Sequence, residues 1–381
     1  MSLSTTIRTL VSRLRSLARH LWVYALHISG ALARAKSQIR ADGGAVVLTL
    51  HRVLPDGECK TTLSPPGMVM SEHTFACMAR YLVAEHHVFP LDAPQKSRYS
   101  DQRIAIALTF DDGWIDNAKY AQPILAQHAI PAAIFLCPGE MGKSLPFWPE
   151  RLVASFGIAT RLKREKEFLA VIAEWAHLPA TKVIARADEL VEIVKRLCLR
   201  ERALLFARLD QLGFARNLGD SATLDSTMSW EDARRLSESG LLLGSHTLHH
   251  EILTRISLEE SREEITASRT QLNREIARPC FALAYPNGDW SAEIRELAAS
   301  AGYAMAFANK PGVWTAETDP LTVPRIGLWE GAVTNFRGHF SRPHFEYVVF
   351  WKTTRDAQRA SHSRSAPQEK RTRRGLSPRA A

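Results

Sequence analysis

Two adjacent carboxylates, Asp111 and Asp112, follow the apolar run 104–110 and precede Gly113. A short continuous apolar run of this kind predicts a strand buried on both faces, as in a parallel sheet. α/β proteins bind ligands at the carboxyl ends of such strands, and like charges this close normally share a metal or take different protonation states. Because Asp-Asp-Gly is also good turn chemistry, this segment alone leaves a turn and a functional site as equal alternatives.

Two histidines four residues apart, His246 and His250, follow a second apolar run, 241–245. Their spacing puts both imidazoles on one side of a helical turn or tight loop, as two-histidine zinc motifs require. A carboxylate such as Asp112 would complete three ligands, the number that leaves a catalytic zinc one open position. Asp111 then remains as the base for metal-activated water. The alternative is a pair of polar loop residues, but the carboxylates at another strand end favour the metal site.

The elements that must position these groups are seven apolar runs that alternate with helical segments. This alternation predicts an α/β fold with a parallel sheet of βα units, and the chain length allows closure into a barrel. Candidate side chains then gather at the strand carboxyl ends. The runs cover residues 45–50, 104–110, 131–137, 241–245, 281–285, 303–308 and 321–328. The candidates at their ends are His51, Asp111, Asp112, His246, His250, Tyr285 to Gly288, and Arg325.

The remaining sequence divides around this pattern. We expect residues 1–41 to form a basic amphipathic N-terminal helix, residues 42–350 to form the domain that carries the candidate site, and residues 351–381 to form a basic disordered tail. Within the domain, about residues 150–228 read as long charged helices without a strand, and we interpret them as a helical insertion.

The net charge of +9 arises because both ends of the chain are strongly basic while the body is mildly acidic. Residues 1–41 and 352–381 contribute +7 each, so the body carries about −5. This distribution argues against a nucleic-acid partner, which would require a basic face on the folded body. The five cysteines are odd in number and widely spaced, which argues against a disulfide framework and fits a reducing compartment.

The N-terminal segment places arginines beside apolar residues, and its apolar stretch of about a dozen residues is too short to span a bilayer. No cleavable signal peptide is apparent. The segment therefore predicts either an interfacial helix in peripheral contact with a membrane or a helix that docks on the body. We expect a cytoplasmic protein, or one peripheral on the cytoplasmic face of the inner membrane; the oligomeric state stays open.

Residues 109–113 (TFDDG) and 245–250 (SHTLHH) resemble the first two motifs of the polysaccharide deacetylases, the NodB-homology group or carbohydrate esterase family 4. The resemblance covers about residues 45–330. It implies a distorted (β/α) barrel and metal-dependent hydrolysis of the N-acetyl group of an amino sugar. It also implies the roles inferred above for the two aspartates and two histidines. Further phrases similar to the family occur at 48–53, 147–151, 228–230, 284–288 and 324–326.

The sequence departs from the family in two places. The arginine that holds the catalytic aspartate in the family's third motif falls on Ala284 here, and Arg325 is the better candidate to pair with Asp111. A packing salt bridge is the alternative for Arg325. The family's late histidine, a general acid, has no match, since His339 and His344 lack its context. His51 could protonate the leaving amine instead, or merely line the pocket.

The predicted function is hydrolytic removal of N-acetyl groups from the amino sugars of a glycan. The cofactor is a divalent metal, with zinc favoured, and the backbone N–H of Asn287 is a candidate oxyanion donor. Tyr285 and Trp114 could stack on a sugar ring, although aromatic residues near strand ends are more often core. Two alternatives are a deacetylase or deformylase of a lipid-linked sugar at the inner membrane, and a non-catalytic glycan-binding protein on a degenerate barrel.

Overall fold

The computed structural model describes residues 3–93, 103–143, 147–177, 187–214 and 224–356. Its strands are β1 (Ala45–Leu50), β2 (Arg52–Leu54), β3 (Val69–Ser71), β4 (His87–Val88), β5 (Ala105–Phe110), β6 (Ala132–Leu136), β7 (Leu242–Ser245), β8 (Ala282–Ala284), β9 (Met305–Phe307) and β10 (Ile326–Gly327). Each of the seven apolar runs contains a strand, usually shorter than the run, and three further short strands, β2, β3 and β4, lie outside the predicted runs.

Seven strands pair in parallel in the order β10-β1-β5-β6-β7-β8-β9, and β4 adds to β5. A parallel bridge between Phe307 of β9 and Val323 joins the far edge to the segment that leads into β10. The sheet therefore returns on itself as a distorted (β/α) barrel, and the predicted fold class is confirmed. The short strands β2 and β3 form a separate parallel pair.

Helices surround the sheet and follow the strands. Several begin at the serine caps that the sequence indicates: Ser71, Ser229 and Ser257 each accept a hydrogen bond from the backbone N–H three residues on. The helices are α1 (Leu3–Ile28), α2 (Ala31–Ala41), α3 (Glu72–Glu85), α4 (Gln122–Gln127), α5 (Trp148–Arg161), α6 (Glu165–Trp175), α7 (Ala187–Val194), α8 (Leu199–Gln211), α9 (Trp230–Glu238), α10 (Leu258–Glu275), α11 (Ala292–Ser300), α12 (Glu330–Val333) and α13 (Arg342–Glu346).

Strand alternation separates two apolar layers. Residues such as Ala105, Ala107 and Phe135 belong to a buried cluster drawn from strands and loops, which fills the barrel interior. Their neighbours, such as Leu108, face outward and join a larger cluster with helical residues, including Phe75 of α3. Because both faces of each strand are buried, the strands read as continuous apolar runs.

The N-terminal segment forms two helices, so the prediction of a single helix over residues 1–41 is wrong. Gly30 lies between α1 and α2 with φ of 72°, a left-handed conformation that ends the first helix. The docking alternative is realised, since Val23 and Leu26 are buried and α1 contacts α2 and α13. No helix among the described residues combines the length and apolar character needed to cross a membrane.

The insertion is helical in its described part and has its own apolar cluster, which includes Phe168, Leu190, Leu205 and Phe214. This cluster explains how so charged a segment folds, because each helix contributes one apolar face. The prediction places the start of the disordered tail too early in the chain, because residues 352–356 are helical and Thr353 is buried. Residues 357–381, the rest of that predicted tail, lie outside the described residues.

Candidate active site

The candidate side chains project over the barrel interior because strand alternation continues into the residues that follow each strand. The inward positions Ala107 and Thr109 of β5 lead to Asp111, and Gly244 of β7 leads to His246. Both side chains are almost completely buried. The structure thus brings together residues from two strand ends that are more than a hundred positions apart in the chain.

Asp112, His246 and His250 form a cluster of three metal-type ligand atoms within 4.8 Å of one another. The Asp112 Oδ1 atom lies 3.5 Å from Nε2 of His246 and 3.5 Å from Nε2 of His250. These distances are too long for hydrogen bonds, and Oδ1 is buried without a hydrogen-bond partner. A buried carboxylate oxygen facing two imidazole nitrogens fits a divalent cation such as zinc.

Other contacts orient two of these ligands. The His246 Nδ1 atom lies 2.8 Å from the carbonyl oxygen of Ala284, which fixes the proton on Nδ1 and leaves the Nε2 lone pair directed at the cluster. Trp114 Nε1 donates to Asp112 Oδ2 at 3.0 Å, so Oδ1 is the oxygen that remains for a metal. Asp112 and His250 also have positive φ angles of 74° and 59°, local strain of a kind found at binding sites.

Burial lowers the pKa of His246 to about 4 and that of His250 to about 3. The nearby carboxylates oppose this effect without overcoming it. Both imidazoles are therefore neutral at neutral pH, which is the form that binds a metal.

Asp111 forms a bidentate ion pair with Arg325. Nη1 and Nη2 of the arginine donate to Oδ1 and Oδ2 of the aspartate, each at 2.7 Å, and both side chains are nearly inaccessible. Burial alone would raise the pKa of Asp111, but the charge and hydrogen bonds of Arg325 outweigh it and hold this pKa well below its usual range. Oδ2 also lies 4.0 Å from His246 Nε2, so an ionised carboxylate borders the metal cluster.

Arg325 approaches from the segment that closes the barrel. Its Nε donates to the carbonyl of Ala308 at 3.2 Å, and Nη1 also contacts Thr109 Oγ1 at 3.3 Å. The arginine that the resemblance places after β8 is thus supplied from beside β10. The sequence prediction that Arg325 pairs with Asp111 agrees with this geometry.

Trp114, which was predicted to stack on a sugar ring, is buried beside Asp112. Its side chain is completely buried, so it is not available to stack on a sugar; it donates to Asp112 instead. The Arg52 guanidinium lies 4.3 Å from the Trp114 ring centroid, and Phe147 contacts the same ring edge-on. Phe147 also packs edge-on against His250. These contacts hold the indole in place beside Asp112, one of the three candidate ligands.

Arg52 is a residue whose role the sequence does not reveal. Its fully buried guanidinium donates to Asp116 and Ser64, each at 2.9 Å, and it also pairs with Asp225. Ser64 in turn donates to Glu150 at 2.8 Å. The partners come from the β2–β3 region, the segment after β5, the insertion and the linker before α9. No local pattern could have brought them together.

Tyr285 is also completely buried, and its hydroxyl donates to the carbonyl of Leu321 at 3.0 Å. It belongs to the apolar core, so the prediction that it stacks on substrate is not supported by its position. Asn287 lies in the turn after β8 with φ of 60°, and its exposed side chain donates to Asp289. Its backbone N–H is at the strand end where the site lies.

The three candidate acid histidines lie in different places. His51 directly follows β1, whose last residue Leu50 pairs with Phe110 of β5, so His51 and Asp111 lie at the same carboxyl edge of the sheet. His344 is buried far along the chain in α13, where it contacts Ser341 and His20 of α1. His339 is exposed in the preceding loop. Of these three, His51 is the one placed at the strand ends.

A family model described as polysaccharide deacetylase matches residues 98–177 and 207–306. The chain belongs to the polysaccharide deacetylase family. Members of this family are hydrolases that act on the amide bonds of N-acetyl sugars. The match contains all three candidate metal ligands and Asp111, and its interruption falls within the helical insertion. No curated protein matches the chain.

Solved structures similar to this polysaccharide deacetylase family member include three bacterial proteins. A Streptococcus pyogenes deacetylase, PplD, in complex with acetate is 16% identical, over 75% of this chain and 92% of that one, with a TM-score of 0.47. IcaB from Ammonifex degensii is 18% identical over 75% and 91%, with a TM-score of 0.47. BC0361, a polysaccharide deacetylase from Bacillus cereus, is 15% identical over 77% and 67%, with a TM-score of 0.48.

Proposed function

We propose that this protein is a metal-dependent deacetylase that removes the N-acetyl group from an amino sugar of a glycan. The observation that carries the proposal is the cluster of Asp112, His246 and His250 beside the Arg325-held carboxylate of Asp111. Family membership supports the reaction class. The three ligand atoms suit zinc, which takes imidazole and carboxylate ligands in catalytic sites.

The reaction divides among the residues of the chain. Asp112, His246 and His250 would hold a divalent metal, which would supply Lewis acidity to activate water and polarise the acetyl carbonyl. Asp111, kept ionised by Arg325, accepts the proton of the attacking water at the oxygen that faces His246. The backbone N–H of Asn287 stabilises the developing oxyanion, and His51 donates a proton to the leaving amine.

The experiment is an assay of N-acetylglucosamine oligomers with metal-reconstituted protein, in which released acetate and free amine are both measured. Asp111→Asn should reduce kcat by at least about a hundredfold while metal is still bound, because the base is removed but the ligands remain. His246→Ala should lose both activity and stoichiometric metal. Metal content by elemental analysis separates the two variants. Unchanged activity in both would refute the proposal, and glycan binding without any product would favour the non-catalytic alternative.

A lipid-linked acetylated or formylated sugar is a second candidate substrate. The observation in its favour is the exposed apolar side of α1, which carries Leu14, Leu21 and Ile28 on a strongly basic N-terminal segment. This substrate goes with the proposed location on the cytoplasmic face of the inner membrane. A panel of matched sugars, free and lipid-linked, distinguishes the candidates by kcat/KM; a preference for the free oligomers would rule out the lipid-linked substrate.

A further inference from the structure

One side of α1 is apolar and exposed although the helix is docked on the body. Its large exposed residues recur at intervals of three and four along the helix, so they lie on one continuous side that covers an arc of roughly 140°. Ile28 is 85% exposed and Leu21 is 63% exposed, values typical of a side chain without a packing partner. The residues of this outer face are Val11, Leu14, Leu17, Leu21, Trp22 and Ile28.

The opposite side of α1 fixes the helix to the barrel. Arg19 donates to the carbonyls of Gly331 and Ala332, and His20 Nδ1 lies 2.7 Å from His344 Nε2. Val23 is fully buried on the same side. The outer face is therefore a fixed surface of the folded molecule, so its exposure does not depend on release of the helix.

We propose that the outer face of α1 binds the surface of an anionic lipid bilayer. Residues 1–41 carry seven lysine and arginine residues and no aspartate or glutamate. Arg19 and Lys36 bind the body of the protein, and the positive charge of the other five complements anionic headgroups. The apolar residues of the outer face, which include a tryptophan, enter the boundary between the lipid headgroups and the acyl chains. Basic residues at the edge of the outer face, such as Arg15, stay among the headgroups. The inference holds independently of catalysis.

A second copy of the chain fits this surface less well. Self-association through α1 would bring two segments of like charge together, each with no acidic residue to offset the other. The outer face is also wider than a coiled-coil seam, since Leu17 and Trp22 extend it on either side of the line through Leu14 and Leu21. A planar lipid surface accommodates this width.

The outer face continues towards the catalytic edge of the barrel. A cleft links Leu17 and His20 of α1 to the segment from Trp329 to Gly338, which contains α12 and in which Trp329 and Phe336 are exposed. Leu328, directly before this segment, bonds to Thr49 near the carboxyl end of β1, the edge at which Asp111 lies. A bilayer bound at the outer face would therefore lie near the strand ends that carry the site.

The test is co-sedimentation of the full chain with vesicles of phosphatidylglycerol and phosphatidylcholine, compared with pure phosphatidylcholine vesicles. The variant Leu14→Glu/Leu21→Glu should weaken binding to the anionic vesicles at least about tenfold, because two leucines that would enter the lipid are replaced by charged side chains. Pure phosphatidylcholine and raised salt should weaken binding of the unaltered chain. The matched control is Leu204→Glu, which changes a leucine of similar exposure in α8 and should bind as the unaltered chain does.

Deacetylation of a soluble oligomer is measured for each variant as a check on folding, and circular dichroism serves the same purpose if the chain shows no activity. Equal vesicle binding by Leu14→Glu/Leu21→Glu and the unaltered chain would overturn the proposal. So would a dimer, detected by sedimentation velocity, that these substitutions dissociate without any vesicle binding; that result would assign the outer face to a second copy.

Discussion

Asp111 and Arg325 form a buried ion pair that orients the Asp111 carboxylate as well as stabilising its charge. Removing two charges from water is costly, and excellent hydrogen-bond geometry is needed to offset that cost. The fork of Arg325 meets both oxygens of Asp111, which fixes the carboxylate plane beside His246. Lysine at position 325 would supply the charge without this orientation.

Arg325→Met should destabilise the protein by about 3–5 kcal/mol, because it leaves the buried carboxylate of Asp111 unpaired. The double variant Arg325→Met/Asp111→Asn should recover much of this loss, since the uncompensated charge is then gone. Urea denaturation of the two single variants and the double variant measures the coupling. Additive effects in this cycle would show that the two residues do not act as a pair.

Trp114→Phe should weaken metal binding by about 10–100-fold, the usual effect of losing a hydrogen bond to a ligand. The change removes the N–H that holds Asp112 Oδ2 and leaves a smaller aromatic ring at the position over which Arg52 lies. Competition with a chelator measures the affinity. Trp148→Phe is the matched control, because the buried Nε1 of Trp148 has no hydrogen-bond partner among the described residues and its loss should leave the affinity unchanged. Equal affinities in both variants would contradict the positioning role of Trp114.

At the scale of single residues, the sequence predicted the groups that come in contiguous motifs. Asp111, Asp112, His246 and His250 are recognisable because each pair lies directly after an apolar run. The sequence could not show that Trp114 faces Asp112, because an aromatic residue near a strand end fits a sugar site and a core equally well. Arg52 was missed because its partners are distant in sequence.

Among the elements, α5 connects the insertion to the barrel through its first turn. Glu150 lies there almost completely buried, accepts from Ser64 and is near Arg52. Burial raises the pKa of Glu150 from 4.5 to about 7, an effect that Arg52 only partly opposes. Folding therefore favours the protonated form of this carboxyl.

The contribution of Glu150 to the stability of the metal-free protein should fall as pH rises from 4.5 to about 7, since the folded state keeps a proton on Glu150 that the unfolded chain has lost. The buried neutral histidines His246 and His250 act in the opposite direction over part of this window, so the quantity to compare is the difference between the unaltered chain and a Glu150 variant. The contribution of this residue is about 3 kcal/mol across the window. Glu150→Gln should remove it and be the more stable protein above the window. Urea denaturation below and above the window measures the difference, with the exposed Glu231→Gln as control. A variant with the same pH dependence as the unaltered chain would contradict this assignment.

Elements were predicted best where burial on both strand faces gives an unbroken apolar run, as in β1 and β5. The last run, 321–328, is shortened to β10 because its first part bonds to β9 and its last part to β1, so neither partner pairs with all of it. The helical segment after β5 begins with a π-helical turn, Asn117–Ala121, before α4. The spacing of apolar residues in a sequence does not distinguish one π-helical turn from an ordinary α-helical turn.

Over the whole molecule, the two ends of the described chain pack together. Lys36 of α2 is near Glu85 and Glu346, and its ammonium lies over the ring of Phe350. His20 of α1 meets His344 of α13. A sequence predicts that a segment is amphipathic, but not which distant surface covers it, and this is why the docked and interfacial alternatives for residues 1–41 could not be separated. Both apply, on opposite sides of α1, if the proposed bilayer contact holds.

The position of Arg325 in the closing segment also has a consequence for the order in which the protein matures. During synthesis the ribosome releases Asp112, His246 and His250 before Arg325, so the three proposed metal ligands exist while the barrel still lacks its last strand. Only when β10 pairs with β1 does the arginine reach Asp111. A nascent or shortened chain that ends before residue 325 would therefore retain the metal ligands without an oriented base, so that metal content alone would overstate the fraction of competent enzyme.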